Sequence, residues 1–136
     1  SDPMKTAAEL QLLGAAVAVG LVQLIWAAFA ARAHQKDLAW AAGPRDEPRD
    51  LGGVAGRLDR AFRNFMETFP FFAAAVLTAY LAAKLGPLTL WGSAMYVAGR
   101  ALYVPIYAAG LPWLRTLVWF VSLTGICMVL AAIFLA

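Results

Sequence analysis

Two stretches without Asp, Glu, Lys, Arg or His set the terms for this chain: residues 10–31, between Glu9 and Arg32, and residues 116–136, beyond Arg115. They are 22 and 21 residues long. A helix needs roughly 20 apolar residues to cross the hydrocarbon core of a bilayer, and a soluble helix of that length would put charges on its water face. Between them, residues 68–114 are interrupted only by Lys84 and Arg100. Gly86 and Pro87 directly follow Lys84 and Leu85, a pattern that stops a helix and turns the chain. The region therefore divides into two spans meeting near Leu85–Leu88. Composition agrees. Of 136 residues 62% are apolar and 14% charged, against about 25% charged in a soluble domain.

The expected fold is all-α: a membrane-spanning four-helix bundle, up-down and left-handed, in a single domain over residues 4–136. Spans are expected at about 7–32, 58–85, 88–110 and 113–135. Ser1-Asp2-Pro3 ahead of Met4 reads as a cloning remnant. The first span is longer than the core of a cleaved leader, about 7–15 residues, and Glu9 stands at its start, which argues for a retained helix. From His34 to about Asp59 the chain reads as a polar connection, with Gly43, Pro44, Pro48, Gly52 and Gly53 marking a loop.

Basic residues orient the bundle. Arg32, Lys36, Arg45, Arg49, Arg57, Arg60, Arg63 and Arg115 fall on one side, and Lys5 and Lys84 on the other. The long first connection is therefore expected in the cytoplasm, with both termini across the membrane. The same bias accounts for the net charge of +3 without any nucleic-acid partner. Trp40, Trp91 and Trp113 fall where interfacial anchors belong. Abundant Ala and Gly suit close helix packing, within the chain and between copies. Cys127, in the last span, is expected to be inert packing. With one Cys and one His, His34, no protein metal site of the usual type can form. His34 itself is expected to be a solvated or interfacial loop residue. Pro70 and Pro105 fall inside spans and are expected to kink them.

Ionisable groups inside spans are expensive and point to function. Arg57, Arg60, Asn64 and Glu67 are spaced 3, 4 and 3 apart, one stripe on the second helix, with Arg63 beside it. Arg100, Tyr103 and Tyr107 repeat the pattern on the third, and Arg115 stands at the mouth of the fourth. Glu67 needs a partner, for which Arg100 and Arg63 are the candidates. Such residues can simply tie helices together. Yet guanidinium groups and tyrosine hydroxyls far outnumber Glu67 at one depth. That excess fits an anion bearing carboxylates or phosphates, with an apolar wall for a lipophilic co-substrate. An anionic lipid headgroup satisfies the same charge pattern. Gln23, inside span one, is expected to hydrogen-bond across helices.

The stretch Arg57-Leu58-Asp59-Arg60-Ala61-Phe62-Arg63-Asn64-Phe65-Met66-Glu67-Thr68-Phe69-Pro70 resembles the second-helix signature of the MAPEG family, membrane-associated proteins in eicosanoid and glutathione metabolism. A second likeness runs through Arg100, Tyr103 and Tyr107 to Gly110-Leu111-Pro112-Trp113-Leu114-Arg115-Thr116, similar to the family's third helix and its turn into the fourth. The resemblance covers nearly the whole chain and is strongest to bacterial members, which implies an inner-membrane location. It implies a homotrimer with glutathione as co-substrate, bound between subunits near the cytoplasmic face. Arg60, Arg63, Asn64, Glu67, Tyr103 and Tyr107 match glutathione-holding positions, with Arg100 beside them and Arg32 at the end of span one. Arg115 resembles the arginine set near the glutathione sulfur, and Thr116 stands where members carry a serine. Phe62, Thr68 and Trp119 depart from residues of the eicosanoid-forming branches, so the resemblance does not extend to an eicosanoid substrate.

These readings converge on a glutathione-dependent membrane transferase or peroxidase acting on lipophilic electrophiles or lipid hydroperoxides. The alternatives are a non-catalytic lipid-binding or scaffold protein of the same fold and a small proton-coupled transporter. The transporter reading is weakened because no acid lies within the first span and arginines surround Glu67.

Overall fold

A computed structural model of the chain describes residues 6–35 and 53–135. They form four helices: α1 (Ala8–Gln35), α2 (Gly53–Leu81), α3 (Pro87–Ala108) and α4 (Pro112–Phe134). Short turns join α2 to α3 and α3 to α4, so these neighbours run antiparallel. α1 packs on α2 and α3, and α4 packs on α3 and α2. The expected loop signals between Gly43 and Gly52, the anchor Trp40 and the basic residues Lys5, Lys36, Arg45 and Arg49 lie outside the described residues.

The boundaries differ from expectation mainly at α2, which starts at Gly53 and ends at Leu81 instead of spanning about 58–85. Ala55, Gly56 and Leu58 are buried, and that contact extends the helix into a stretch that reads as loop from composition. α1 likewise continues through His34 to Gln35. At its far end α2 closes in a Schellman motif. The amide of Lys84 bonds the Ala79 carbonyl at 2.8 Å, and that of Ala83 bonds Tyr80 at 3.1 Å. The residue in the left-handed region is Ala83, at φ 58°, whereas Gly86 is extended. α3 ends in the same way, with Gly110 N to Tyr107 O at 2.9 Å and Leu111 N to Ile106 O at 3.2 Å. Here the left-handed position, φ 73°, is held by a glycine. Pro87 and Pro112 then open α3 and α4 at the position where a missing N–H costs nothing. Pro70 and Pro105 sit inside α2 and α3, which continue past them.

The bundle is apolar outside and partly polar within. Leu21, Ile25, Phe29, Phe71, Leu81, Leu117, Phe120 and Phe134 are exposed, while Glu9, Gln23, Thr89, Ser93, Arg100 and Ser122 are buried. α1 and α4 each hold an 18-residue window of mean hydropathy above 2, long and apolar enough to cross a membrane. In lipid, apolar burial gains little over lipid contact, so close packing must hold such helices together. α3 and α4 supply it. A Cβ at Gly92 would lie 2.7 Å from the Gly125 carbonyl, and one at Gly99 would lie 3.1 Å from Ser122 Cβ. On the other side Gly20 of α1 receives the Phe65 ring. Phe72 stacks on Tyr96 with centroids 4.1 Å apart in the largest apolar cluster. Cys127, expected to be inert packing, is exposed on the outer face of α4, because the tightly packed face is the one carrying Ser122, Gly125 and Val129.

The two Schellman turns make opposite predictions. A left-handed non-glycine residue costs about 1 kcal/mol, so Ala83→Gly is expected to stabilise the bundle by about that amount. Gly110→Ala, whose Cβ meets only ordinary contacts with Arg57, is expected to destabilise it by a similar amount. Thermal unfolding in detergent should order the proteins Ala83→Gly, wild type, Gly110→Ala.

Candidate functional site

Three helix ends meet at one end of the bundle. The 3–4–3 stripe of α2, the last turns of α3 and the first turns of α4 enclose a cavity of about 460 Å³. Arg60, Arg63, Asn64, Glu67, Tyr103, Tyr107, Arg115, Thr116 and Trp119 line it. Helical spacing explains the convergence. Side chains three or four apart share a face, so each helix contributes a row. Trp119 stands out in sequence only as a departure from related proteins; its spacing of four from Arg115 puts it on the cavity face.

Two arginines are joined through one tyrosine. Arg60 Nε donates to the Tyr107 hydroxyl at 3.2 Å. The Arg115 guanidinium lies 4.9 Å from the centre of the Tyr107 ring, within cation–π range. Tyr103 and Tyr107 are ring neighbours at 5.5 Å. Arg63 pairs with Asp59 at 2.8 Å, one helical turn back. Thr116 donates its hydroxyl proton to the Pro112 carbonyl at 3.0 Å, leaving its lone pairs toward other donors. The lining holds three guanidinium groups and one carboxylate, so an anion that also carries one positive group would match it.

Several expected roles change. Arg100 does not line the cavity. It is completely buried, its Nη1 donates to Asn64 Oδ1 at 2.8 Å, and its guanidinium lies 4.1 Å from the centre of the Tyr103 ring. Arg100 thus stands behind the site and fixes Asn64, an amide that faces the cavity. It is not a partner for Glu67. Arg63 is not one either, because Asp59 lies within its reach on the same helix. Among the described residues Glu67 has no ion pair, and it is an exposed member of the cavity lining. Arg57, first in the stripe, donates from Nε to the Ala108 carbonyl at 2.9 Å and caps the C-terminus of α3. Arg32 is exposed on α1 and does not line its own chain's cavity. Below the site, Thr68 and Tyr96 hydroxyls pair at 2.9 Å, a link that the sequence shows only as a Thr four residues after Asn64. Among the described residues no His, Cys, Asp or Glu cluster suited to a metal occurs.

Compared with models of known protein families, the chain matches the MAPEG family over residues 11–135. Among curated proteins none matches it.

The two arginine contacts differ in weight. Asn64→Leu removes the only side-chain hydrogen-bond partner of buried Arg100 among the described residues, and should destabilise the protein by about 1–3 kcal/mol. Arg63→Ala breaks a pair whose side chains are 73% and 34% exposed, and should change stability by less than about 0.5 kcal/mol. Detergent unfolding curves for the two variants check both values.

Proposed function

The chain belongs to the MAPEG family, and from that premise we propose that it is a membrane-embedded glutathione transferase or peroxidase for lipophilic electrophiles. The observation that carries the reading is the cavity in which Arg60, Arg63 and Arg115 outnumber Glu67, with two tyrosines and Asn64 around them. Glutathione has two carboxylates, one ammonium group and one thiol, which is the charge pattern that lining complements. Its volume falls within the roughly 300–1,000 Å³ usual for small-molecule sites.

Each side chain then has a task. Arg60 and Arg63 hold carboxylates, Asn64 hydrogen-bonds the peptide, and Glu67 takes the ammonium group. Tyr107 steadies Arg60 through its hydroxyl and Arg115 through its ring. A thiol of pKa about 8.5 is mostly protonated at neutral pH, and a guanidinium beside it favours the thiolate. Arg115 cannot serve as a base, so it acts by electrostatic stabilisation while the thiol proton leaves to water. The thiolate attacks an electrophilic carbon, forming a C–S bond and expelling the leaving group. With a hydroperoxide it attacks the outer oxygen instead, breaking the O–O bond to leave an alcohol and a sulfenic acid. The substrate arrives from the bilayer beside Trp119.

Arg60 and Glu67, which line the cavity, are both exposed. In this proposal a second copy covers them in a homotrimer and brings Arg32 to the ligand. The arginine-rich end faces the cytoplasm of a bacterial inner membrane.

Stopped-flow mixing of the detergent-solubilised protein with glutathione tests the reading through ultraviolet thiolate absorbance. Wild type should form thiolate with a midpoint pH well below about 8.5. The shift favours the anion, so the signal is present above that midpoint and is lost as pH falls through it. Arg115→Ala should move the midpoint up toward about 8.5 while the protein stays folded. Neither binding nor thiolate in wild type would assign the chain to the non-catalytic lipid-binding reading.

A further inference from the structure

We propose a second binding site, at the basic end of the bundle, for the phosphate of a phospholipid headgroup. A cavity of about 130 Å³ lies where α2 meets the turn between α3 and α4, lined by Arg57, Tyr107, Gly110, Leu111, Pro112 and Arg115. Tyr107 and Arg115 also line the larger cavity, whereas Arg57, Gly110, Leu111 and Pro112 do not. The site therefore has members of its own and does not rest on the glutathione reading.

Both arginines bring their guanidinium groups to it. A Cβ at Gly110 would lie 3.8 Å from Arg57 Nε and 3.9 Å from its Cζ, so that guanidinium rests against one wall of the cavity. The Arg115 guanidinium, 4.9 Å from the centre of the Tyr107 ring, rests against another. Capping α3 uses Nε of Arg57 alone. Among the described residues its Nη atoms have no hydrogen-bond partner, and unlike Nη2 of Arg100 they are not sealed from solvent. The same is true of every nitrogen of the Arg115 side chain. Donors of two cations thus remain for a ligand.

Charge, size and depth name the occupant. No carboxylate lines the cavity, and two guanidinium groups suit an oxyanion. At about 30 Å³ for each water-sized group, the volume takes about four of them, the number of oxygens in a phosphate and too few for a tripeptide. α4 has 23 residues, about 35 Å at about 1.5 Å per residue, slightly more than a hydrocarbon core of about 30 Å. Its first turn, with Pro112 and Arg115, therefore lies at the boundary where lipid phosphates sit. Trp113, in that turn, is exposed at the level where aromatic anchors belong. Leu111 in the cavity wall, and Leu114 and Leu117 further along α4, are about half exposed and give acyl chains an apolar track. A free phosphate would meet the same donors without using that track.

Calorimetric titration of the detergent-solubilised full chain tests the site with dioctanoyl phosphatidylglycerol, dioctanoylglycerol and inorganic phosphate. The phospholipid should bind about tenfold more tightly than either of the others, or better. Dioctanoylglycerol binding as tightly as the phospholipid would overturn the proposal, and inorganic phosphate doing so would overturn the lipid as the source of the phosphate. Arg57→Gln keeps a donor for the Ala108 carbonyl and should fold, losing about tenfold in phospholipid affinity. It should bind glutathione as wild type does, and the phospholipid results stand whether or not glutathione binds. Arg32→Gln removes an exposed arginine from the same end of the bundle without touching the cavity, and should leave phospholipid affinity unchanged. Equal losses in the two variants would make the attraction a general property of the basic end and overturn the site. If Arg57→Gln does not fold, Leu111→Glu sets a like charge beside the phosphate at an exposed position, and undiminished phospholipid affinity there overturns the proposal equally.

Discussion

A guanidinium group buried in the middle of a helical bundle constrains everything around it. Arg100 has no access to water, so its charge must be answered by groups packed against it. Asn64 of α2 does so by hydrogen bond and the face of Tyr103 by cation–π contact. The bond to Asn64 ties the rotation of α2 to that of α3, and with it the direction in which both polar rows point, while the Tyr103 contact holds the guanidinium within α3 itself. Asn64 and Tyr103 both line the cavity, so the core charge and the site share their supports. Because lipid competes equally for apolar surface, such polar ties and the glycine-permitted approach of α3 to α4 supply specificity that hydrophobic burial cannot.

The arginines around the cavity divide by task. Arg57 serves as a helix cap and Arg100 as a core tie, and Arg63 has Asp59 beside it. Arg60 and Arg115, both on Tyr107, are the cavity arginines with no carboxylate partner among the described residues. A single tyrosine thus couples the group proposed to hold a carboxylate to the one proposed to hold the sulfur. The opposite end of the bundle is tied differently: Thr89 donates to buried Glu9 at 2.6 Å, and Lys84 reaches the Leu135 carbonyl at 2.9 Å. One end is closed by internal bonds while the other keeps donors turned toward an open cavity.

Much of this was legible in the sequence because helical period alone decides which residues share a face. The spacing of Arg60, Asn64 and Glu67, and of Tyr103 and Tyr107, was enough to bring them to one cavity. Helix number and the α3 and α4 boundaries followed from charge-free length and from Pro87, Gly110 and Pro112. What spacing cannot give is rotation about the helix axis to within one neighbour. Arg100 shares a face with Tyr103 and Tyr107, yet it turns inward while they line the cavity. Arg57 belongs to the α2 stripe, yet it falls level with the end of α3 and caps it. Nor does local composition reveal a left-handed alanine at position 83, which is held by two backbone bonds set by the packing of α2. Gln23 reads as a cross-helix bond in sequence and has none among the described residues.

The central claim is that Arg60, Arg115 and Glu67 face one cavity in order to hold a zwitterionic anion. An experimental structure of the detergent-solubilised protein with glutathione present tests it most directly. The account predicts density for the tripeptide in contact with Arg60 and Glu67, with its sulfur beside Arg115. A structure in which Arg60 and Arg115 turn out to phospholipid headgroups, leaving no room between α2 and α4 for a peptide, would contradict it.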